Sequence, residues 1–338
     1  MREALLYEKL EDKKVRCFLC NHHCLIEPNK TGLCGVRINK EGLLYTLVYG
    51  KVIAENVDPI EKKPLYHFLP GSYSYSIATV GCNFQCSFCQ NFEISQYPRF
   101  YPGGIPGKKV TPEEIVKQAL VTNSQSISYT YTEPTIFFEF ALDCAKLAVT
   151  KGIKNVFVSN GYMTKEALDL ISPYLQGINV DLKSFKEDFY LRICKAKLKP
   201  VLENLKYLKK IGIWVEITTL IIPQLNDSEE ELREIARFIR DELGPETPWH
   251  ISRFYPQFRM LDKPRTPVET LERAYEIGKS EGLYFVYVGN VPGHDKENTY
   301  CPKCGALLIE RYGFSVLQNR LRNSACPDCG FQIAGVWN

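Results

Sequence analysis

From residue 75 onward the chain alternates short apolar, β-branched runs with longer amphipathic stretches. The runs fall at 75–80, 127–131, 156–158, 178–182, 213–222 and 250–255, and a seventh at 284–291 closes the series. Runs that stay apolar along their length, instead of alternating with polar residues, predict parallel strands buried on both faces. The stretches between them carry helix start signals. Thr111-Pro112-Glu113-Glu114 and Thr266-Pro267-Val268-Glu269 each offer an N-cap Thr, a Pro at the first helical position and a Glu three residues after the cap. A further helix is predicted over 229–243, opened by Asn226-Asp227-Ser228 and stopped by Gly244-Pro245.

Strand–helix repeats of about 30 residues imply a parallel α/β barrel or an open sheet, with chemistry at the C-terminal ends of the strands. A doubly wound nucleotide-binding sheet would need a Gly-rich turn after an early strand, and the chain has no G-x-G-x-x-G and no P-loop. Gly103-Gly104-Ile105-Pro106-Gly107 lacks the spacing and reads as a turn. The expected division is a Cys-rich module and linker over 1–71, the barrel over 72–291, and a second Cys-rich module over 292–338. Asp58 to His67, just before the first strand, is either a solvated charged linker or a segment that brings Lys63 or His67 to the barrel mouth.

Composition narrows the class. In 338 residues, 42 Lys+Arg stand against 39 Asp+Glu, so a formal charge of +3 gives no electrostatic case for a nucleic-acid partner. The charged N-terminus lacks the apolar core of a secretory signal, and no stretch approaches the roughly 18 uncharged apolar residues of a membrane span. A cytoplasmic protein without a membrane partner is therefore expected. In a reducing compartment, clustered cysteines read as metal or cofactor ligands rather than disulfides.

Eleven of the 13 cysteines fall in three groups: Cys17, Cys20, Cys24 and Cys34; Cys82, Cys86 and Cys89; and Cys301, Cys304, Cys326 and Cys329. The central group, C-x3-C-x2-C, sits at the end of the first barrel strand. Three thiolates from one loop can each hold one iron of a [4Fe-4S] cube and leave the fourth iron without a protein ligand. A three-cysteine zinc site completed from elsewhere is the alternative. The last group is a pair of C-P-x-C-G knuckles, the usual framework of a zinc ribbon, although tetrahedral all-sulfur ligation also serves a single iron. The first group suits either zinc or an iron-sulfur cluster; its spacing does not decide, and its place ahead of the central group leans the reading slightly to zinc. Cys144 reads as a small core residue, and Cys194 lies close enough in sequence to the fourth strand to approach the site.

The triplet, with Phe88 before its last cysteine, resembles the cluster motif of the radical S-adenosylmethionine (SAM) superfamily over about residues 74 to 256. The resemblance implies a partial (βα)6 barrel in which SAM chelates the open iron. One-electron reduction then yields methionine and a 5′-deoxyadenosyl radical. It also implies SAM-binding roles at later strand ends. Thr132-Glu133-Pro134 stands where the family usually has Gly-Gly-Glu-Pro, so Glu133 can accept from the SAM ammonium while Thr132 replaces a glycine. Ser159-Asn160-Gly161 and Asp181-Leu182-Lys183 resemble the corresponding motifs of glycyl-radical-enzyme activases, with Asp181 and Lys183 on one face of their strand. Glu216, Thr218, Pro223 and Asn226 are candidates for the SAM ribose, and His250, Ser252 and Arg253 for the substrate or the SAM carboxylate.

The run from Cys17 to Arg37, the segment 45–51, Asp58 to Gly71 and Ile77 to Gly81 are together similar to the radical SAM component of the AmmeMemoRadiSam system, related to pyruvate formate-lyase activating enzymes. That resemblance implies functional association with Memo-family and Ammecr-domain proteins, and with an electron donor such as ferredoxin or flavodoxin. Two further readings stand beside it: a glycyl-radical-enzyme activase, and, in a different class, a zinc-stabilised binding or scaffold protein.

Overall fold

Eight strands form one sheet in strict chain order: β1 (Ala54–Pro59), β2 (Tyr73–Ala78), β3 (Ser126–Tyr129), β4 (Lys154–Ser159), β5 (Gly177–Asp181), β6 (Trp214–Ile221), β7 (Trp249–Arg253) and β8 (Val286–Gly289). The computed structural model describes residues 1–101 and 103–338. β2 to β8 are parallel and β1 is antiparallel to β2. The two edge strands do not pair with each other, so the barrel is partial. Helices Pro112–Val121, Phe138–Thr150, Lys165–Ile171, Leu198–Lys210, Glu229–Phe238 and Val268–Ser280 connect successive parallel strands. The strands are buried on both faces: every residue of β3 is buried, Ser126 and Ser128 included, as are Ile178, Val180, Ile217 and Ile251 in the strands beyond it.

The sheet exceeds the expected six strands at both ends. The seventh run forms β8, and β1 comes from the stretch expected to be linker. β1 pairs along the whole of β2, from Ala54 opposite Ala78 to Pro59 opposite Tyr73. The solvated-linker reading of 58–67 does not hold, because Asp58, Glu61, Lys63 and His67 are all buried.

The helix starts follow the predicted chemistry at one site and depart from it at another. Thr111 and Glu114 form a reciprocal capping box, with 3.2 Å from Glu114 N to Thr111 Oγ1 and 2.8 Å from Thr111 N to Glu114 Oε2. Thr266 is not a cap. Its hydroxyl donates to the Ile221 carbonyl at 2.6 Å and accepts from Phe254 N at 3.0 Å, joining the ends of β6 and β7, and its helix begins after Pro267. A buried backbone carbonyl and amide at the strand ends are the stronger claim on that hydroxyl.

The N-terminal ends of the strands are closed by the segment after β1. The Asn179 side chain donates to the Pro64 carbonyl at 2.8 Å, and the Glu216 carboxylate accepts from the Tyr66 and His67 amides at 2.9 and 2.8 Å. Against this floor packs a C-terminal sheet of β9 (Thr299–Tyr300), β10 (Leu307–Tyr312) and β11 (Ser315–Asn319). Tyr66, Phe285 and Tyr287 share a core with Cys301, Leu308 and Cys326. Buried Arg311 reaches the Tyr66 carbonyl at 2.9 Å. At the other end, two small antiparallel sheets hold the N-terminal cysteines, tied to helix Phe138–Thr150 by a buried Arg37–Glu139 ion pair at 2.9 Å. Among the described residues no helix is long and apolar enough to cross a membrane.

Candidate active site

The loop after β2 starts at Gly81, whose φ of 105° is reserved in practice for glycine. A Cβ there would also stand 2.8 Å from Val36 Cγ1, so the N-terminal module presses directly on the start of the loop. The loop is then pinned from the segment after β5, since Gln85 N donates to the Cys194 carbonyl at 3.0 Å and Ser87 N to the Ile193 carbonyl at 3.1 Å. Arg99 adds a third tie, donating to the Cys82 carbonyl at 2.8 Å. The result is that Cys82, Cys86 and Cys89 all line one cavity of about 530 Å³ at the C-terminal ends of the strands.

The same cavity is lined by Phe88, Thr132, Glu133, Asn160, Asp181 and Lys183. Lys183 Nζ donates to Asp181 Oδ2 at 2.8 Å, and its backbone N–H donates to the Tyr190 hydroxyl oxygen at 3.0 Å, which fixes the turn after β5. Burial works against the Lys183 charge, but Asp181 and the nearby thiols outweigh it and hold the ammonium well above its ordinary range.

Glu133 is almost fully committed. Its Oε1 accepts from Ser159 Oγ at 2.8 Å and from the Thr135 hydroxyl at 2.5 Å and amide at 3.1 Å, while Oε2 accepts only from Asn160 N at 2.8 Å. One acceptor position on Oε2 is left for a ligand cation. Burial raises the Glu133 carboxyl above its ordinary value, and these donors oppose that shift. Asn160 in turn donates to Asn83 Oδ1 at 2.7 Å, beside Cys82.

The glycine pair missing from the 131–132 turn is compensated by a held backbone. Tyr131 takes φ 61°, a left-handed conformation unfavourable for a bulky residue. Its hydroxyl donates to Asp58, and the Lys63 ammonium lies 4.6 Å from its ring. Lys63 pairs with Asp58 at 2.5 Å and lines the cavity, so the segment after β1 does reach the mouth through this residue. Burial alone would raise the Asp58 carboxyl, but hydrogen bonds from Lys63, Tyr131 and Lys62 hold it far below its usual range.

Four expected ligand residues, Glu216, Arg253, His250 and Asn226, lie elsewhere. Glu216 shares the inward face of β6 with Thr218 but sits nearer the strand's start, on the barrel floor, where it accepts from Trp214 Nε1 at 3.0 Å and from His250 Nε2 at 2.6 Å. Burial pushes its carboxyl up and His250 leads the partners that bring it below its ordinary value. Arg253 follows inward-facing Ser252 by one residue and so turns to the other face, where Nε donates to the Thr266 carbonyl at 2.8 Å. His250 is buried on the floor against Tyr66, and His67 is also there, not at the mouth. Asn226 holds the β6 end, donating to the Lys183 and Leu220 carbonyls at 2.7 and 2.9 Å.

Asn83, Tyr131 and Arg99 belong to the site without having been singled out. Asn83 stands inside the motif, but nothing marks Arg99 in sequence, since two of its partners are backbone carbonyls and the third is the Gln96 side chain. Cys194 lies against the loop, its carbonyl holding Gln85, and Cys144 is a buried helix residue in the core.

The triplet suits a multi-iron group. Burial drives the thiols of Cys82 and Cys89 upward, and Cys86 is raised first by its hydrogen bond with Cys194, so thiolates at these three buried or half-buried positions need a cationic centre among them. Thr218 Oγ1 is buried without a partner and opens on the same cavity. At the C-terminus, the sulfurs of Cys301, Cys304, Cys326 and Cys329 all lie within 4.8 Å of one another, an arrangement that could hold one metal ion. Cys17, Cys20, Cys24 and Cys34 line a separate small cavity.

The model of the radical SAM superfamily matches residues 76–239, which contain the triplet, Glu133, Asn160, Asp181 and Lys183. The chain is 51% identical over 335 residues to an uncharacterized protein of Methanocaldococcus jannaschii, covering 98% of this chain and 99% of that one. It is 26% identical over 167 residues to a pyruvate formate-lyase-activating enzyme of Clostridium pasteurianum, covering 48% of this chain and 67% of that one. A solved domain of pyruvate-formate lyase-activating enzyme from Bacteroides vulgatus aligns with TM-score 0.42 and 20% identity, covering 48% of this chain and 98% of that chain.

Proposed function

The chain belongs to the radical SAM superfamily of enzymes, and from that premise we propose that it binds SAM over Cys82, Cys86 and Cys89 and directs the resulting radical onto a substrate entering at the strand ends. The observation that carries this reading is the convergence of the three sulfurs with Glu133, Asn160, Asp181 and Lys183 on one cavity. A [4Fe-4S] cluster on those sulfurs, when bound, supplies the electron that splits the SAM sulfonium into methionine and a 5′-deoxyadenosyl radical.

The chain's own residues do the positioning. The Asp181–Lys183 pair offers a carboxylate and an ammonium to a zwitterion bearing both complementary groups. Glu133 Oε2 presents its free acceptor position to the SAM ammonium, and the 131–132 turn, held by Asp58 and Lys63, fixes the backbone beside it. Phe88, Val158 and Leu220 form apolar wall that keeps water from a reactive carbon centre.

In this proposal the enzyme works with Memo-family and Ammecr-domain proteins, takes electrons from a ferredoxin or flavodoxin, and holds zinc at Cys301, Cys304, Cys326 and Cys329. The system assignment rests on the sequence resemblance, and the zinc on the closed four-sulfur geometry. The similarity to a pyruvate formate-lyase-activating enzyme favours a second reading, hydrogen abstraction from a backbone glycine of a partner protein. Anaerobic incubation with SAM and reductant, with and without the Memo-family protein, separates the two. Adenosyl products that change when that protein is present support the first, and a glycyl radical signal on a partner chain supports the second.

A further inference from the structure

We propose that Cys17, Cys20, Cys24 and Cys34 hold a second [4Fe-4S] cluster, ligated by protein at all four irons, that relays single electrons to the catalytic centre. The site stands on its own geometry; only the relay rests on the function proposed above.

Around one zinc ion with Zn–S bonds of about 2.3 Å, tetrahedral geometry places the sulfurs about 3.8 Å apart. The C-terminal cysteines have that arrangement, with Cys301–Cys329 at 3.6 Å and Cys304–Cys326 at 3.7 Å. Among the described residues, they are also the only set of three or more His, Cys, Asp or Glu ligand atoms gathered within 4.8 Å of one another. The N-terminal sulfurs surround a common cavity without closing to that spacing. Wider separation is what a cube requires, because each thiolate then sits on its own iron.

Two donors on this cavity are unpartnered. Arg37 Nε and Asn83 Nδ2 are buried without a hydrogen-bond acceptor, in side chains that are each 2% exposed. Leaving such groups unpaired is costly, and the sulfides and thiolates of an anionic cluster are acceptors of the required kind. Arg37 is held in place by its two-point pair with Glu139, at 3.1 and 2.9 Å, which leaves Nε as the donor free for the cluster.

The path inward is short. His22, between Cys20 and Cys24, contacts the Asn83 carbonyl at 2.9 Å. Arg99 donates both to the Leu33 carbonyl at 2.7 Å and to the Cys82 carbonyl at 2.8 Å, so one guanidinium joins the residues beside Cys34 to the catalytic loop. Facing outward, Leu25 and Leu33 adjoin Cys24 and Cys34 and are 55% and 51% exposed, an apolar edge for a docking electron carrier. One electron leaves a reduced low-potential carrier, passes through the N-terminal cluster and reduces the catalytic cluster, with no bond or proton transferred.

The first test uses a variant with Cys82, Cys86 and Cys89 all changed to Ala, purified and reconstituted anaerobically. About four iron and four acid-labile sulfide per chain are expected to remain, with a reduced-cluster paramagnetic signal. Zinc in place of iron and sulfide would overturn the site. If that variant does not fold, anomalous scattering at the iron edge from wild-type crystals reads the same point, with a peak between Cys17 and Cys34 expected and its absence contradictory. The relay is tested with Cys20→Ala/Cys34→Ala. The ratio of flavodoxin-driven to dithionite-driven SAM cleavage should fall about tenfold or more, and an unchanged ratio refutes the relay.

Discussion

Lys183 and Asp181 face each other at 2.8 Å across Leu182, and the Lys183 ammonium lies 5.7 Å from the ring of Phe88, the aromatic residue within the triplet loop. This pair joins the fourth parallel strand to the cluster loop. Lys183→Met and Asp181→Asn should each weaken SAM binding about 10- to 100-fold, as expected for loss of a hydrogen bond to a charged group. Calorimetric titration of reconstituted protein checks this, with iron content as the control for an intact cluster site.

The Tyr131 hydroxyl is one of three donors to the buried Asp58 carboxylate. Tyr131→Phe should destabilise the fold by about 1–3 kcal/mol, because the carboxylate loses a partner it cannot replace from water. Denaturant unfolding measures this, and unchanged stability would mean that Lys62 and Lys63 suffice.

His67 should make stability pH-dependent. It is fully buried, with Nδ1 donating to the Ala334 carbonyl at 2.8 Å and Nε2 accepting from Tyr287 at 2.6 Å, the pattern of a neutral ring. Burial, helped by Arg311 and His250 and opposed by Glu216, lowers its pKa to about 4. Between that value and the ordinary value of about 6.5 the unfolded chain binds a proton that the folded chain does not, so stability falls as pH drops through this window, by up to about 3 kcal/mol. Unfolding curves across the window should be less steep in pH for His67→Gln than for wild type.

Removing a C-terminal ligand should loosen the barrel floor. Cys301 and Cys326 share a core with Tyr66, Phe285 and Tyr287. Cys326→Ser should release one metal equivalent and lower the thermal midpoint while leaving iron bound elsewhere, read by metal analysis and calorimetry.

The barrel was legible because β-branched and apolar residues recur in short runs at regular spacing between helix start signals, even though β3 and β5 carry Ser126, Ser128 and Asn179 between their apolar residues and bury them as well. The triplet was legible through its spacing, and Asp181 and Lys183 through strand alternation. Glu216 was misplaced because periodicity gives the face of a strand but not the height along it, and its carboxylate serves the floor. Arg253 was misplaced by a single residue of alternation. Arg99 left no trace in sequence because it works through backbone carbonyls brought together only by the fold. The charge of Asp58 to Lys63 suggested solvent, whereas Asp58 pairs with Lys63 inside the structure and Glu61 is buried beside Arg311, leaving Lys62 exposed.

The most direct test of the central claim is reductive SAM cleavage by anaerobically reconstituted protein, followed by mass spectrometry. Dithionite-reduced wild-type protein should yield methionine and 5′-deoxyadenosine, or an adenosyl adduct, and Cys82→Ala should yield none. A wild-type protein fully loaded with iron and sulfide that leaves SAM intact would contradict the account.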